Sequence, residues 1–267
     1  DLEGRLISCE GTEMGPGGRR RVVRTDMRTG EVTALVERYD GKRLNSPNDA
    51  TVDSKGRIYF TDPRYGDRSD MEMDIEGVYR IDPADEKGDG SRFPERPAGY
   101  FAQTTPVPFF GKVTRVLAQP AIGRPNGIAI TPDNRTLYVI DSNPVAGGNR
   151  KVWAFTIEPD LRLTNQRVVY DFAPGRGGDG MELDRQGNLY VCAGITTPRG
   201  PHETDKNPPG VYVITSVGKL LGRIPIPEDV ITNCCFGGPD WKTLYVTAGK
   251  TLYSVRVQIP GYHAFPG

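Results

Sequence analysis

Residues 187–192 have the sequence Gly187-Asn188-Leu189-Tyr190-Val191-Cys192, which is typical of a turn followed by a strand whose side chains alternate between two faces. Related copies with a tyrosine at the matching position lie at 56–61, 135–140 and 242–247. A second strand-like run follows each copy, at 78–81, 152–155, 211–214 and 252–255. A unit that recurs in this way indicates a repeat architecture.

A small polar residue precedes each of these tyrosines by eleven or twelve positions. The four residues are Asn48, Asn126, Asp179 and Asn233, and the gaps between them are 78, 53 and 54 residues. The first gap contains a stretch rich in Gly, Pro and charge at about 82–111, which we predict to be an insertion loop. Strand-like runs at 4–8 and 21–24 fit the same register, so we count five units.

Units of roughly 50 residues, each with three or four short strands joined by turn residues, are typical of β-propeller blades. No window combines sustained helical spacing of apolar residues with a cap. Two packed β-sandwiches would also give many short strands, but they would not give a fixed recurrence of polar residue, turn and tyrosine. We therefore predict an all-β chain that forms one propeller domain over residues 1–267.

Composition excludes several other classes of protein. The 34 basic residues balance 34 acidic residues, which argues against a partner bound through net charge, such as nucleic acid or an acidic membrane. No apolar run approaches the roughly 18 residues of a membrane helix, so we expect a soluble chain. The 4 cysteines lack metal-ligand spacing, and Cys9 and Cys192 lie in strand-like runs where a thiol is usually buried.

The recurring polar residues predict a cation site. Equivalent positions of successive blades converge on the central channel, so Asn48, Asn126 and Asp179 would place two carboxamide oxygens and one carboxylate around one axis. Such ligands suit a hard cation, Ca²⁺ or Mg²⁺. The alternative is that Asn126-Gly127 and Asp179-Gly180 are tight turns, because both pairs are strong turn signals.

A glycine-rich stretch, Gly175-Arg176-Gly177-Gly178-Asp179-Gly180, formally matches the dinucleotide-binding pattern. The residues that follow it alternate like a strand and open no helix, whereas that pattern needs a helix N-terminus for the phosphates. We therefore predict no dinucleotide site.

Several motifs together resemble the senescence-marker-protein/gluconolactonase family of six-bladed propellers, which includes regucalcin-like lactonases. They are Leu44-Asn45-Ser46-Pro47-Asn48-Asp49, Ile58-Tyr59-Phe60-Thr61-Asp62-Pro63-Arg64-Tyr65-Gly66, Arg124-Pro125-Asn126-Gly127-Ile128-Ala129 and Gly178-Asp179-Gly180-Met181. The likeness covers nearly the whole chain, and it implies a six-bladed type of propeller with about five blades present here.

The resemblance implies a divalent-metal-dependent lactonase that opens a sugar lactone to its aldonic acid. By motif, Asn48, Asn126 and Asp179 match metal ligands, and Asn126 and Asp179 match catalytic positions, with Asp179 as base or nucleophile. One divalent cation is implied, with Ca²⁺ expected and Zn²⁺ or Mg²⁺ as alternatives. A small-molecule lactone is the expected partner, with no nucleic acid or membrane, and we expect a monomer or weak oligomer.

The family also supplies a Glu ligand from its first blade, and this sequence has no Glu in that register. Glu10 and Glu13 follow the first visible strand instead. We therefore expect a fragment of a longer parent, with part of the first blade upstream of Asp1. A targeting segment could precede Asp1 in such a parent, so the sequence leaves cytoplasmic and periplasmic or secreted locations both open.

Further candidates for substrate binding are the polar residues that follow the strands, Asp62, Arg64, Tyr65 and Asp141, and the recurring polar residue of the last unit, Asn233. The family's substrate-holding Arg, two residues before the first Asn, is Ser46 here, so the identity of the lactone stays open. A competing hypothesis is a propeller without catalytic activity that binds a peptide or glycan, with the insertion at 82–111 as the recognition surface.

Overall fold

The computed structural model describes residues 1–12, 17–83 and 111–262, and within these ranges the chain contains β-strands and no α-helix. The strands form five antiparallel sheets of three or four strands and one short hairpin. Within every sheet the strands are neighbours in chain order, and the first strands of successive blades contact each other at all four junctions between the five blades. This arrangement is that of propeller blades around a channel. The prediction of an all-β propeller with five blades is confirmed.

The first half of the chain supplies two blades. The first comprises β1 (Leu6–Glu10), β2 (Arg21–Thr25) and β3 (Val32–Val36). The short hairpin of β4 (Arg38–Tyr39) and β5 (Lys42–Arg43) follows it. The second blade comprises β6 (Ala50–Val52), β7 (Ile58–Asp62), β8 (Gly77–Ile81) and β9 (Val113–Ala118).

The second half supplies three blades. The third comprises β10 (Pro125–Ile130), β11 (Thr136–Ser142), β12 (Arg150–Ile157) and β13 (Leu163–Asp171). The fourth comprises β14 (Gly178–Leu183), β15 (Leu189–Ala193), β16 (Gly210–Ile214) and β17 (Leu220–Pro225). The fifth comprises β18 (Ile231–Gly237), β19 (Thr243–Ala248) and β20 (Thr251–Arg256).

The repeated turns have a common backbone geometry. Gly56 and Gly187 have φ of 77° and 78°, and Asn134 occupies the same place in the third blade with φ of 56°. Each closes its turn with a backbone hydrogen bond to the residue three positions earlier. Glycine and asparagine are the residues that adopt this left-handed conformation most readily, which explains why the turn can be recognised in the sequence.

The hydrophobic core lies between blades, because each sheet buries its two faces against its neighbours. One cluster joins the third and fourth blades and includes Ile140, Val152 and Leu189, all without solvent exposure. Three similar clusters join the remaining pairs of successive blades. Full burial of such a side chain contributes roughly 1.5–3 kcal/mol, so the stacking of blades holds the inner strands in place.

The connection between β8 and β9 coincides with the predicted insertion. The backbone N–H of Asp82 donates to the carbonyl of Lys112 at 3.0 Å, so the two ends of this connection meet. Residues 84–110 lie outside the described ranges, and the insertion and the single-domain assignment stay predictions. All four cysteines are free thiols, and Cys192 and Cys234 are buried. Across the described ranges we find no helix with the length and apolar character needed to span a membrane.

Candidate functional site

The four recurring polar residues lie on the inner side of their blades. Asn126 belongs to β10, Asp179 to β14 and Asn233 to β18, while Asn48 precedes β6 by two residues. Contacts join β6 to β10, β10 to β14, and β14 to β18. The residues therefore follow one another around the channel, as the shared register predicts.

Asn126 and Asp179 each occupy an irregularity in strand pairing. The register of β10 against β11 shifts between Pro125 and Ile128, and that of β14 against β15 shifts between Gly178 and Met181. Such bulges turn a side chain out of the regular alternation, and they are frequent beside functional sites. Asn126-Gly127 and Asp179-Gly180 thus lie inside strands, so the tight-turn alternative is wrong for both pairs.

The glycine after each of these residues allows the next inner strand to approach. A Cβ atom on Gly127 would lie 2.4 Å from the carbonyl oxygen of Asp179. A Cβ atom on Gly180 would lie 2.2 Å from Oδ1 of Asn233. At Gly127 the neighbouring atoms are backbone, so the close approach of β10 and β14 requires glycine there, whereas a side chain at position 180 would displace the side chain of Asn233.

Asp179 is the charged centre of this cluster. Burial raises the pKa of its carboxyl group, while Arg176 and the carboxamide of Asn126 oppose that rise. Nη2 of Arg176 lies 2.8 Å from Oδ2 of Asp179, and Nη1 of the same guanidinium is buried without a hydrogen-bond partner. The carboxylate is therefore held between a cation and an amide at a partly exposed position.

Tyr65 reaches the same cluster from the loop after β7. Its hydroxyl donates to the carbonyl of Ser142 at 3.4 Å. Burial and then the negative charge of Asp179 raise the pKa of Tyr65, and Arg124 opposes this rise. Tyr65 therefore lies close enough to Asp179 for the two groups to interact electrostatically.

Asn48 lies on the adjacent blade with an exposed side chain. Its backbone N–H donates to the carbonyl of Thr61 at 2.9 Å, which fixes it against β7. The following residue, Asp49, accepts the N–H of Ile128 through Oδ2 at 3.2 Å. Asn48 therefore lies beside the strand that carries Asn126.

The side chains of three other candidates form hydrogen bonds to backbone groups inside the protein. Asp62 is fully buried and accepts the backbone N–H groups of Asn45 and Ser46 at 2.8 and 2.7 Å. Arg64 is 1% exposed and donates to the carbonyl of Asn45 at 3.0 Å. These contacts favour a structural role for Asp62 and Arg64.

Asp141 repeats the contacts of Asp62 in the next blade. It is fully buried and accepts the backbone N–H groups of Gly123 and Arg124 at 2.9 and 2.8 Å, and Nδ2 of Asn149 at 3.0 Å. Asn233 is exposed, and its Oδ1 accepts the N–H of Cys234 at 2.8 Å. Asp141 is therefore withdrawn from solvent, whereas Asn233 is accessible beside Asp179.

The donor atoms of Asn48, Asn126 and Asp179 fit a hard cation in type, because all are oxygens. Among residues 1–12, 17–83 and 111–262, no three or more His, Cys, Asp or Glu side chains are grouped to hold a metal, so such a site would depend on carboxamides. Glu10 pairs with Nε of Arg21 at 2.6 Å, and Glu13 lies outside the described ranges. A low ligand charge predicts weak binding.

A cavity of about 580 Å³ lies along the inner strands and between the first and fifth blades, and Asn233 lines it. Its lining includes Asp49, Glu182 and Asn233 together with apolar side chains of both blades. Burial and then the charge of Asp49 raise the pKa of Glu182 to about 8. The cavity thus holds the carboxyl groups of Asp49 and Glu182, and Glu182 lies three residues beyond Asp179 on β14.

Sequence reasoning missed three residues that shape the site: Arg176, Arg124 and Glu76. Arg176 lies in the glycine-rich stretch, whose sequence pattern points only to phosphate binding. The structure places β14 at the end of this stretch, so a strand and not a helix follows it, as predicted. Arg124 has a usable signal, since it precedes Asn126 by two residues. Glu76 has none, because its partners come from distant parts of the sequence.

Fold and site together define a β-propeller with a polar, carboxamide-rich cluster at the inner ends of its blades. The family model described as SMP-30/Gluconolactonase/LRE-like region matches residues 2–250. The chain therefore belongs to the SMP-30/gluconolactonase/LRE-like family.

Three relatives illustrate this membership. The chain is 30% identical to a gluconolactonase of Zymomonas mobilis over 96% of its own length, and it spans 65% of that relative. It also resembles the solved gluconolactonase XC5397 of Xanthomonas campestris, with 31% identity, a TM-score of 0.68, and coverage of 98% of this chain and 70% of that one. A calcium-binding regucalcin of Agrobacterium tumefaciens shares the fold, with 16% identity, a TM-score of 0.60, and coverage of 97% and 78%.

Proposed function

We propose that this chain carries the active site of a metal-dependent lactonase that hydrolyses a sugar lactone to its aldonic acid. The observation that carries the proposal is the cluster of Asn126 and Asp179 on neighbouring inner strands, beside an accessible channel. Similarity to two gluconolactonases supports the reaction class, and family membership over residues 2–250 supports the site as a whole.

Asn48, Asn126 and Asp179 would hold one divalent cation through their oxygen atoms. Ca²⁺ suits this set best because the ligands are neutral carboxamides and one carboxylate, with Mg²⁺ and Zn²⁺ as alternatives. When bound, the cation would polarise the lactone carbonyl and stabilise the negative charge that develops on its oxygen. Asn126 and Asp179 contribute to the site by being held in place before substrate arrives.

Asp179 is the group we assign to proton transfer. Its carboxylate would accept a proton from the water molecule whose oxygen attacks the carbonyl carbon, and the same proton could then pass to the ring oxygen as the ester bond breaks. Burial raises the pKa of Asp179, which makes the carboxylate a stronger base. A role as nucleophile, with a covalent acyl intermediate that water then hydrolyses, is the alternative for the same residue.

The hydrogen bonds and exposure of the remaining candidates separate residues that face the site from residues that support it. Tyr65 and Asn233 are near Asp179 and partly or fully accessible, so we keep them as residues that face the site. Asp62, Arg64 and Asp141 hold backbone groups that lead into the inner strands, and we assign them to the support of the site. The substrate itself is proposed only as a small sugar lactone.

A pH-stat assay on glucono-1,5-lactone tests the proposal after subtraction of spontaneous hydrolysis. We expect activity that EDTA removes and added Ca²⁺ restores, and we expect Asp179→Ala to lower kcat on the order of 10²- to 10⁴-fold. Asp160→Ala is the matched control, since Asp160 is an exposed carboxylate paired with Arg162.

Two results would contradict the proposal. If Ca²⁺, Mg²⁺ and Zn²⁺ all fail to support hydrolysis of sugar lactones, the chain is not a metal-dependent lactonase. Glycan or peptide binding by such an inactive chain would favour the non-catalytic alternative. If Asp179→Ala retains activity equal to Asp160→Ala, then Asp179 is not the proton-transfer group.

A further inference from the structure

A buried carboxylate joins the second blade to the third. Glu76 directly precedes β8 and is 4% exposed. Its two oxygens accept Nε and Nη2 of Arg124 at 3.0 and 3.3 Å. Such a paired geometry holds the guanidinium in one orientation, which a Lys ammonium could not reproduce. Glu76 thus fixes the side chain of the residue two positions before Asn126.

The backbone of Arg124 is held as well. Its N–H donates to Oδ1 of Asp141 at 2.8 Å, and its carbonyl accepts the N–H of Ser142 at 3.0 Å. Pro125, whose ring fixes φ, is the one residue between Arg124 and Asn126. A displacement of Arg124 would therefore displace Asn126, because the connection between them is short and stiff.

The stretch of Ile75 and Glu76 also binds the segment before Asn48. The carbonyl of Ile75 accepts Nδ2 of Asn45 at 3.0 Å. Oε2 of Glu76 accepts the backbone N–H of Arg64 at 3.1 Å, and Nη1 of Arg64 donates to the carbonyl of Asn45 at 3.0 Å. Asn45 has no solvent exposure and precedes Asn48 by three residues. Its side chain is thus tied to this stretch directly, and its carbonyl is tied to it through Arg64.

The spacing between Asn48 and Asn126 depends on contacts of this kind. The two residues belong to adjacent blades, and the sheets of those blades share no strand. Within a sheet the hydrogen-bond ladder sets the distance between strands at about 4.8 Å, but no ladder spans two blades. A cation bound by both carboxamides needs both oxygens within about 2.6 Å at the same time, so the spacing between the blades matters for binding.

We propose that Glu76 is a positioning residue that sets the spacing between the carboxamides of Asn48 and Asn126. It acts through its ion pair with Arg124 and through the hydrogen bonds to the segment before Asn48. Both oxygens of its carboxylate already accept N–H groups, so Glu76 acts on a cation through the ligands and not as a ligand. This inference rests on the proposed cation site and adds to it the group that holds two of its ligands together.

Glu76→Gln tests this directly, because it keeps the shape of the side chain and replaces one oxygen by an N–H₂ group that cannot accept from Arg124. Isothermal titration of the metal-free chain with Ca²⁺ gives the Kd without any use of activity. We expect the Kd to be roughly three- to tenfold weaker than that of the wild type. Arg124→Gln should weaken it similarly. The double variant should bind no more weakly than the weaker single variant, since both substitutions remove the same contact.

Asp53→Asn is the matched control. Asp53 is 1% exposed and pairs with Nε of Arg57 at 2.5 Å, so the substitution also removes the charge of a buried, Arg-paired carboxylate in the second blade. It follows β6, whereas Asn48 precedes β6. We expect the Ca²⁺ Kd of Asp53→Asn to equal that of the wild type, even where urea denaturation shows that both variants lose stability.

Side-chain amide signals test whether Glu76 acts on both blades. In ¹⁵N spectra of the metal-free chain, the signals of Asn48 and Asn126 should both move in Glu76→Gln, and both should stay in place in Asp53→Asn. Movement of the Asn126 signal alone overturns the proposal, because Glu76 would then hold one ligand and not the spacing between two.

The outcomes separate this inference from the proposed function. A wild type that binds Ca²⁺ with the same Kd as Glu76→Gln overturns the positioning role and leaves the cation site standing. Equal weakening by Asp53→Asn, or additive weakening in the double variant, also overturns it, since the effect would then be general destabilisation. If Glu76→Gln does not fold, the double variant carries the same test, because it leaves no unpaired charge at position 124. A wild type that binds no Ca²⁺, Mg²⁺ or Zn²⁺ overturns both proposals.

Discussion

Asp62 and Asp141 differ from Asp179 in what surrounds their carboxylates, although all three belong to recurring motifs of the blades. Asp62 is the last residue of β7 and Asp141 the next-to-last residue of β11, and both are fully buried, with both oxygens accepting N–H groups of the chain. Asp179 lies on an inner strand and is partly exposed, with side chains of Arg176 and Asn126 as its neighbours. The first pair holds backbone, whereas the third faces the channel.

The difference teaches that a polar residue in a repeat acquires its role from the strand that carries it. At the ends of the second strands, backbone N–H groups of the segment that leads to the inner strand of the same blade need an acceptor. Inner strands border the channel, where a carboxylate can meet a ligand. Asp62 and Asp141 thus place Asn48 and Asn126 indirectly, by fixing the segments that precede them.

The largest loss of stability that would test this contrast is expected for Asp141→Ala. The substitution leaves two backbone N–H groups and the amide of Asn149 without their acceptor in a buried place. We expect a loss of about 3 kcal/mol in the free energy of unfolding, measured by urea denaturation. Asp179→Ala should change it by less than about 1 kcal/mol, because a carboxylate kept for a site adds little to stability. Equal losses in the two variants would abolish the distinction.

The sequence was sufficient for the fold because each blade repeats the same local signals. Turn residues with left-handed backbone, tyrosine-bearing strands and polar residues before them all recur at matching positions, so one unit supports the assignment of the others. The inner-strand positions of Asn126, Asp179 and Asn233 followed from that register. The order of these three residues around the channel could therefore be predicted.

Side-chain partners could not be predicted in the same way. Asp62 and Asp141 follow a strand as Tyr65 does, but their burial depends on backbone N–H groups 16 to 18 positions earlier in the chain. Glu76 bonds to Arg124, which is 48 residues away. Contacts over such separations depend on how the loops pack, and a pattern in a single sequence carries no information about that.

Glu182 is a third kind of carboxyl group. It lines the cavity along the inner strands, and among the described residues it lacks the two backbone N–H donors that Asp62 and Asp141 each have. Burial and then Asp49 raise the pKa of Glu182 from 4.5 to about 8. The folded chain therefore keeps this proton between pH 4.5 and 8 while the unfolded chain loses it, so stability falls as pH rises through this window. We expect Glu182→Gln to lack that fall and to gain on the order of 3–4 kcal/mol over the wild type between pH 5 and pH 8.

Urea denaturation in EDTA at several pH values measures this gain. The surface variant Glu31→Gln controls for the loss of a carboxylate as such, and its difference from the wild type should not grow with pH. A constant difference between Glu182→Gln and the wild type from pH 5 to pH 8 would mean that the channel carboxylate is ionised throughout, as in solvent.

The smallest effect is expected for Arg176. The partner of Asp179 is this charged side chain, whereas Asp62 and Asp141 bind backbone N–H groups, so a bound cation could take the place of the partner only at Asp179. Nη2 of Arg176 lies 2.8 Å from Oδ2 of Asp179, so a cation that binds this carboxylate meets a guanidinium beside it. Removal of the guanidinium charge should strengthen Ca²⁺ binding. We expect the Kd of Arg176→Gln to be about two- to fivefold tighter by isothermal titration, with Arg162→Gln, on the surface of the third blade, unchanged. A weaker Kd in Arg176→Gln would mean that Arg176 orients Asp179 for the cation instead of competing with it, and Asp179 would then resemble Asp141 in needing its donor.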